Sequence, residues 1–252
     1  MNTNEQRCFL PSMLALWLFV AFFNVFAKFK PELALSASYL LAFGQIVFDF
    51  IAFGFFVRVM RNSTRERRFP AVCFGLALLF LFLSDFFYYA SGFAWFSLSP
   101  MVQHFTTDLP LTGFFAFMLV GFVRVTLRGQ SKKENGSFQL LAVLSAFFVL
   151  ASFFFGAPDA VNEDTVASWY YSIQTVLQAL GAVFALLAMA REFSASINVL
   201  VVGFLALFMA DFFLNINANV LLTTQGDDVF EILWMLGSVL MAVAGYMRIQ
   251  ES

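Results

Sequence analysis

The chain contains one histidine, two cysteines and, within its long apolar runs, no lysine. Each scarcity removes a class of chemistry. Without a lysine inside a span there is no retinal Schiff base, so a conventional rhodopsin is excluded. The single histidine, His104, lies in a loop. It cannot build a bis-histidine haem, a histidine-rich metal site or an intramembrane Ser-His-Asp set. Cys8 precedes the first apolar run and Cys73 opens the third, so no disulfide framework is implied. There is no phosphate-binding glycine loop, no metal-ligand spacing and no feature that calls for a cofactor or a nucleic-acid partner. Charge is scarce as well: 12% of the residues are charged, about half the fraction usual for a soluble domain.

Apolar sequence fills the space. Hydrophobic residues make up 61% of the chain, and 38 of its 252 residues are Phe. Several runs exceed the roughly 18 residues needed to cross a bilayer. Eight spans are predicted, at about 10–27, 35–57, 71–94, 108–127, 138–156, 168–190, 196–217 and 229–247. None shows the alternation of a barrel strand, so all should be helices in an all-α integral membrane protein whose main partner is the lipid bilayer. The first span has a second reading as a signal peptide, since "NVFA" stands before Lys28.

Basic residues set the orientation. "RVMRNSTRERRF" and "RVTLRGQSKKENG" carry nine of the fourteen, and Arg7, Arg191 and Arg248 fall on the same side. The opposite loops hold Glu32, Asp108, Asp159, Glu163, Asp164, Asp227, Asp228 and Glu231. Both termini are therefore expected in the cytoplasm, with the chain as a multi-pass protein of a bacterial inner membrane.

The two halves resemble each other. "LALLFLFLSDFF" ends the third span and "FLALFMADFF" sits in the seventh; the fourth ends "GFVRV" and the eighth "GYMRI". Asp85 precedes Arg124 by 39 residues, and Asp211 precedes Arg248 by 37. Gln45 and Asp49 in the second span match Gln174 and Gln178 in the sixth, again four apart and so on one helical face. A single membrane domain, 1–252, thus divides into two parallel four-helix repeats, 10–128 and 138–249.

Depth groups the polar residues. Asp85 and Asp211 lie late in outward-running spans; Gln45, Gln174 and Gln178 lie early in inward-running ones; Asp49 is nearer the middle. Tyr88, Tyr171, Asn215 and Trp234 share the outer depth, as do Tyr39, Tyr170 and Asn217. A carboxylate near the bilayer centre costs about 2.5–3.5 kcal/mol on insertion scales and needs compensation. The expectation is an outward-facing polar pocket built from Asp49, Asp85, Asp211, Gln45, Gln174, Gln178, Tyr88, Tyr171, Asn215 and Trp234. Interhelical packing bonds are the alternative for these polar residues, and aromatic-belt anchoring for the tryptophan.

The stretch "ADFFLNINANVLLTTQGDDVFEILWMLGSVLMAVAGYMR" resembles the last two spans of the multi-helix membrane sensor regions that precede cyclic-di-GMP signalling domains and histidine kinases in bacteria. Asp211, Asp228, Trp234, Gly237 and Arg248 match that pattern in order, and "SDFFYY" with "TDLPLTGFFAF" resembles a weaker upstream copy. The resemblance implies a sensory or signal-relay module that takes an unidentified small ligand or lipid. Its output would pass to a cytoplasmic signalling partner or a second copy of the chain. An output domain, which follows the membrane region in that family, is not in this sequence. Two other functions are weighed beside it. A small-molecule transporter or channel would use Asp49, Asp85 and Asp211 to attract a cation. An intramembrane lipid hydrolase similar to lysoplasmalogenases would use Ser84-Asp85 and Ala210-Asp211, although the polar histidines of that family's later spans have no counterpart here.

Overall fold

The computed structural model describes residues 3–27, 29–93, 99–128, 165–192, 194–221 and 227–251. Every regular element among them is helical. The order is α1 (Thr3–Ala27), a 3-10 turn (Pro31–Leu33), α2 (Ala34–Asn62), α3 (Arg65–Gly92), a short α4 (Pro100–Gln103), a π turn (His104–Asp108), α5 (Leu109–Arg128), α6 (Thr165–Arg191), α7 (Ala195–Leu221) and α8 (Asp227–Glu251). Helices are what an apolar chain without solvent partners must form, because each then satisfies its own backbone groups. Among the described residues, five helical stretches are long and apolar enough to cross a membrane: Ala34–Asn62, Arg67–Gly92, Phe105–Arg128, Ile173–Arg191 and Phe230–Glu251. Pro11–Ala27 and Ala195–Asp211 are shorter apolar helices. The predicted span at 138–156 lies outside the described residues.

Short polar connections set the helix ends. At the close of α2, Ser63 turns extended, and both its N–H and its hydroxyl donate to the Val59 carbonyl, at 2.9 and 2.7 Å. Pro70 falls in the second turn of α3, where it removes the N–H that would otherwise reach the residue-66 carbonyl. At the start of α7 the Ser194 hydroxyl accepts the Ile197 N–H at 3.2 Å, satisfying one of the helix's orphan donors.

The packing follows a regular scheme. α3 lies on α5 and α7 on α8, while α2 lies on α8 and α6 on α5; α1 covers α2 and α8. At the centre, Phe204 of α7 sits among Phe114, Phe115 and Phe122 of α5, with ring centroids 5.3–6.2 Å apart. Phe114, Phe115, Phe122 and Phe204 are fully buried, whereas Phe19, Phe22, Phe43 and Phe50 are exposed on the outside of the bundle. Phe richness therefore serves two surfaces, an interlocking core and an apolar exterior.

Glycine lets α7 and α8 approach backbone to backbone. A Cβ at Gly237 would stand 2.6 Å from Leu207 Cγ and 2.8 Å from the Gly203 carbonyl oxygen. Small residues at such contacts are the usual means of tight helix packing in lipid. A Cβ at Gly54 would meet nothing within 4 Å. Gly237→Ala should therefore lose about 1–3 kcal/mol to overpacking, and Gly54→Ala should be neutral or gain up to about 1 kcal/mol. Thermal unfolding of the two variants in detergent checks the contrast.

Candidate functional site

The helices carry their polar residues at one end and their arginines at the other. In α2, Gln45 and Arg58 are thirteen residues apart, about 20 Å along the axis. In α3 the order is reversed, with Arg65, Arg67 and Arg68 at the start and Asp85 near the end.

At the carboxylate end one amide organises three helices. Gln45 Nε2 stands 3.2 and 3.1 Å from the two Asp49 carboxylate oxygens, 2.9 Å from Asp85 Oδ2 and 2.8 Å from Ser238 Oγ. Asp49 is one helical turn beyond Gln45 on α2, so both side chains share a face; Asp85 comes from α3 and Ser238 from α8. The Trp234 indole, one turn before Ser238, donates to Asp85 Oδ2 at 3.0 Å. Asp49 and Asp85 thus face the same amide nitrogen and lie within electrostatic reach of each other. Gln45, Asp49 and Ser238 are at most 1% exposed, and Asp85 is 6% exposed.

The donor count in this cluster does not balance. An amide has two N–H donors, and Gln45 turns them toward four oxygens. Its own carbonyl oxygen, Oε1, is buried with no partner. An unpaired buried acceptor costs about 1–3 kcal/mol. The cluster thus has surplus acceptors and would be relieved by one added donor. Tyr89 lies within electrostatic reach of Asp85 and Asp49, and of Glu231.

The remaining predicted residues divide. Gln178 of α6 donates to the Asp211 carboxylate of α7, both buried. Gln174, one turn earlier, donates to the Asp108 carbonyl and the Thr112 hydroxyl, each at 3.1 Å, tying α6 to the start of α5. Of the expected assembly, Gln45, Asp49, Asp85 and Trp234 join Ser238 in one network, and Gln178 bonds Asp211. Tyr88 is half exposed, its ring edge-on to Tyr89 at 5.3 Å. Tyr171 and Asn215 lie outside the residues whose side chains are described. Among the described residues, no group of His, Cys, Asp and Glu is placed to hold a metal ion.

Sequence reasoning missed Ser238 and Trp17. Ser238 follows Trp234 by four residues, the spacing that paired Gln45 with Asp49, and could have been found by the same rule. Trp17 of α1 donates from its indole to the Ile232 carbonyl of α8 at 3.1 Å; nothing in its apolar surroundings signals that.

At the arginine end, Arg248 of α8 bonds Glu192 at 2.9 Å and Glu251 at 3.0 Å. Glu251 in turn accepts from the Ser196 hydroxyl at 2.6 Å and its N–H at 3.2 Å. Arg191 donates to the Thr126 carbonyl at 3.0 Å. Both ends of α8 are therefore held by polar side chains, with an apolar stretch between. No protein-family model, curated protein or solved structure matches the chain.

Replacing Gln45 by Leu leaves two buried carboxyl groups without their common donor. The variant should lose about 3–5 kcal/mol, as expected when a buried charge loses its partner. Adding Asp49→Asn to Gln45→Leu removes one of the two carboxyl groups and should recover a substantial part of that loss. A double-mutant cycle of unfolding free energies measures the coupling; strict additivity would contradict the shared-amide account.

Proposed function

We propose that this chain is a membrane-embedded sensory and signal-relay module, with the buried carboxylate cluster as its input and α8 as its output. Eight spans, cytoplasmic termini and two parallel units over 10–128 and 138–249 complete the reading. The packing scheme supports two units. α2 leans on α8, the last helix of the other unit, and α6 leans on α5 in the same way. Asp85 receives Gln45 from the helix before it, and Asp211 receives Gln178 from the helix before it. The glycines agree: Gly113 and Gly237 each press on the preceding long helix, against Phe80 and Leu207.

One observation carries the relay: Trp234 and Ser238, both on α8, are bonded to groups held by α2 and α3. Asp49 and Asp85 share one proton in this reading, because two buried carboxyl groups beside one neutral amide do not both stay charged. A further proton, or a cationic ligand entering from the outer side, supplies the donor that Gln45 Oε1 lacks. The amide then turns over and releases Ser238, while neutralised Asp85 holds the Trp234 indole less strongly, since bonds to charged acceptors are about twice as strong. The change in α8 is carried to its Arg248 end. Such a switch requires the input to bind the two α8 positions with different affinity.

The hydrolase alternative calls on Asp85 and Asp211 as acid and base on one substrate. Asp85 has Asp49 and Trp234 beside it, whereas Asp211 has Gln178, so this arrangement favours the relay. A nitroxide at Gln250→Cys, in a background with Cys8 and Cys73 replaced by Ser, reports on the output end. Asp85→Asn and Trp234→Phe should each change the label's mobility in liposomes, and Gln174→Ala should not. An unchanged spectrum in both cluster variants would count against the relay.

A further inference from the structure

The arginine end contains a cleft beside the output end of α8, to which the relay assigns no ligand. The floor is apolar, formed by Phe56 of α2, Phe74 of α3, Val125 of α5 and Leu200 of α7. The lining residues include three arginines, Arg67, Arg128 and Arg248, against one glutamate, Glu192. That glutamate is already engaged by Arg248. Positive charge thus dominates a cleft with greasy walls.

Its position is also specific. With Gln45 matched to Gln174 and Asp85 to Asp211, several lining residues become counterparts: Ser63 with Glu192, Ala71 with Ile197, and Phe74 with Leu200. The cleft therefore lies where the two halves face each other. This placement rests on the repeat reading; the cleft and its arginines do not.

Arginines that only fixed orientation or neutralised helix C-termini could sit anywhere around the bundle's rim. Arg67 cannot neutralise a helix C-terminus, and orientation alone does not require it to line a cleft. It stands in the first turn of α3, where the helix dipole disfavours a cation, and it lines the cleft. Guanidinium groups bind phosphate oxygens in pairs. A ligand with an anionic phosphate at one end and hydrocarbon at the other matches the arginines and the apolar floor together. Phe69 and Leu127, next in sequence to Pro70 and Arg128, are exposed apolar residues at the same end of the bundle. We infer that this cleft binds the headgroup of an anionic phospholipid from the adjoining leaflet, with Arg67 and Arg128 on the phosphate and the upper acyl chain against Phe74 and Leu200.

The test uses the purified full chain in detergent, titrated with dioctanoyl phosphatidylglycerol, dioctanoyl phosphatidylcholine or millimolar inorganic phosphate, with adducts counted by native mass spectrometry. Phosphatidylglycerol should bind in preference to phosphatidylcholine, and inorganic phosphate should neither bind stably nor displace it. Arg67→Gln with Arg128→Gln should weaken phosphatidylglycerol about thirtyfold, while Arg58→Gln with Arg61→Gln, at the same end but outside the lining, should stay within about twofold. If the first double variant does not fold, Arg67→Lys alone should still weaken binding severalfold, because it keeps the charge and loses the paired geometry. Equal losses in the two double variants, equal binding of phosphatidylcholine, or displacement by inorganic phosphate would overturn the proposal. None of these readouts depends on signalling, so the relay and the lipid site fail separately.

Discussion

One side-chain amide sets the character of the molecule. Gln45 Nε2 is the common hydrogen-bond partner of two aspartates from neighbouring helices and of a serine from the last helix. In an apolar bundle this is a severe constraint. Buried carboxyl groups must be paired or neutralised, and here the donor available to both is a neutral amide with two protons. The positions of α2, α3 and α8 follow from satisfying it, since each must bring its side chain within reach of one nitrogen atom. The unpaired carbonyl oxygen of the same amide marks the cluster as incompletely satisfied. A buried polar network in that condition responds to a single added donor, which is a reasonable property for a sensing element and a poor one for a purely structural pin.

The rest of the fold makes the constraint consequential. α8 packs on α7 through Gly203 and Gly237 with no side chain between the backbones, and it packs on α2 along much of its length. A helix held so closely moves as a body. Its two polar attachments, Trp234 and Ser238 at one end and Arg248 at the other, are separated by an apolar stretch from Val239 to Val243 that is wholly buried except at Leu240. Coupling between the two ends thus requires no chain of polar groups through the core. It requires only that the helix be rigid and that its near end have two arrangements of similar energy.

Much of this was legible in the sequence, for identifiable reasons. Hydrophobic run length disclosed the helices, because in lipid the backbone has few alternatives. The four-residue spacing of Gln45 and Asp49 showed that they share a face, and depth counting brought Asp85 to the same level. The partner that Asp211 takes on α6 was not legible. Depth alone cannot say whether Asp211 joins Asp85 or turns to its own neighbour, since that depends on how the halves are rotated about each other. Ser238 was overlooked because one hydroxyl in a helix is chemically quiet until a packed partner identifies it. The arginine cleft was invisible for a related reason. The same residues that orient the chain also line a cavity, and only packing shows which of them do so.

The central claim is that the Asp49–Gln45–Asp85 cluster and the far end of α8 form one mechanical unit. Hydrogen–deuterium exchange of the protein in nanodiscs, comparing the native chain with Asp85→Asn, addresses it directly. Exchange should be faster in the cluster segments of α2 and α3 and also in α8 as far as Arg248, with α5 and α6 little altered. Faster exchange confined to the residues around Gln45 and Asp85, with α8 beyond Ser238 unchanged, would contradict it.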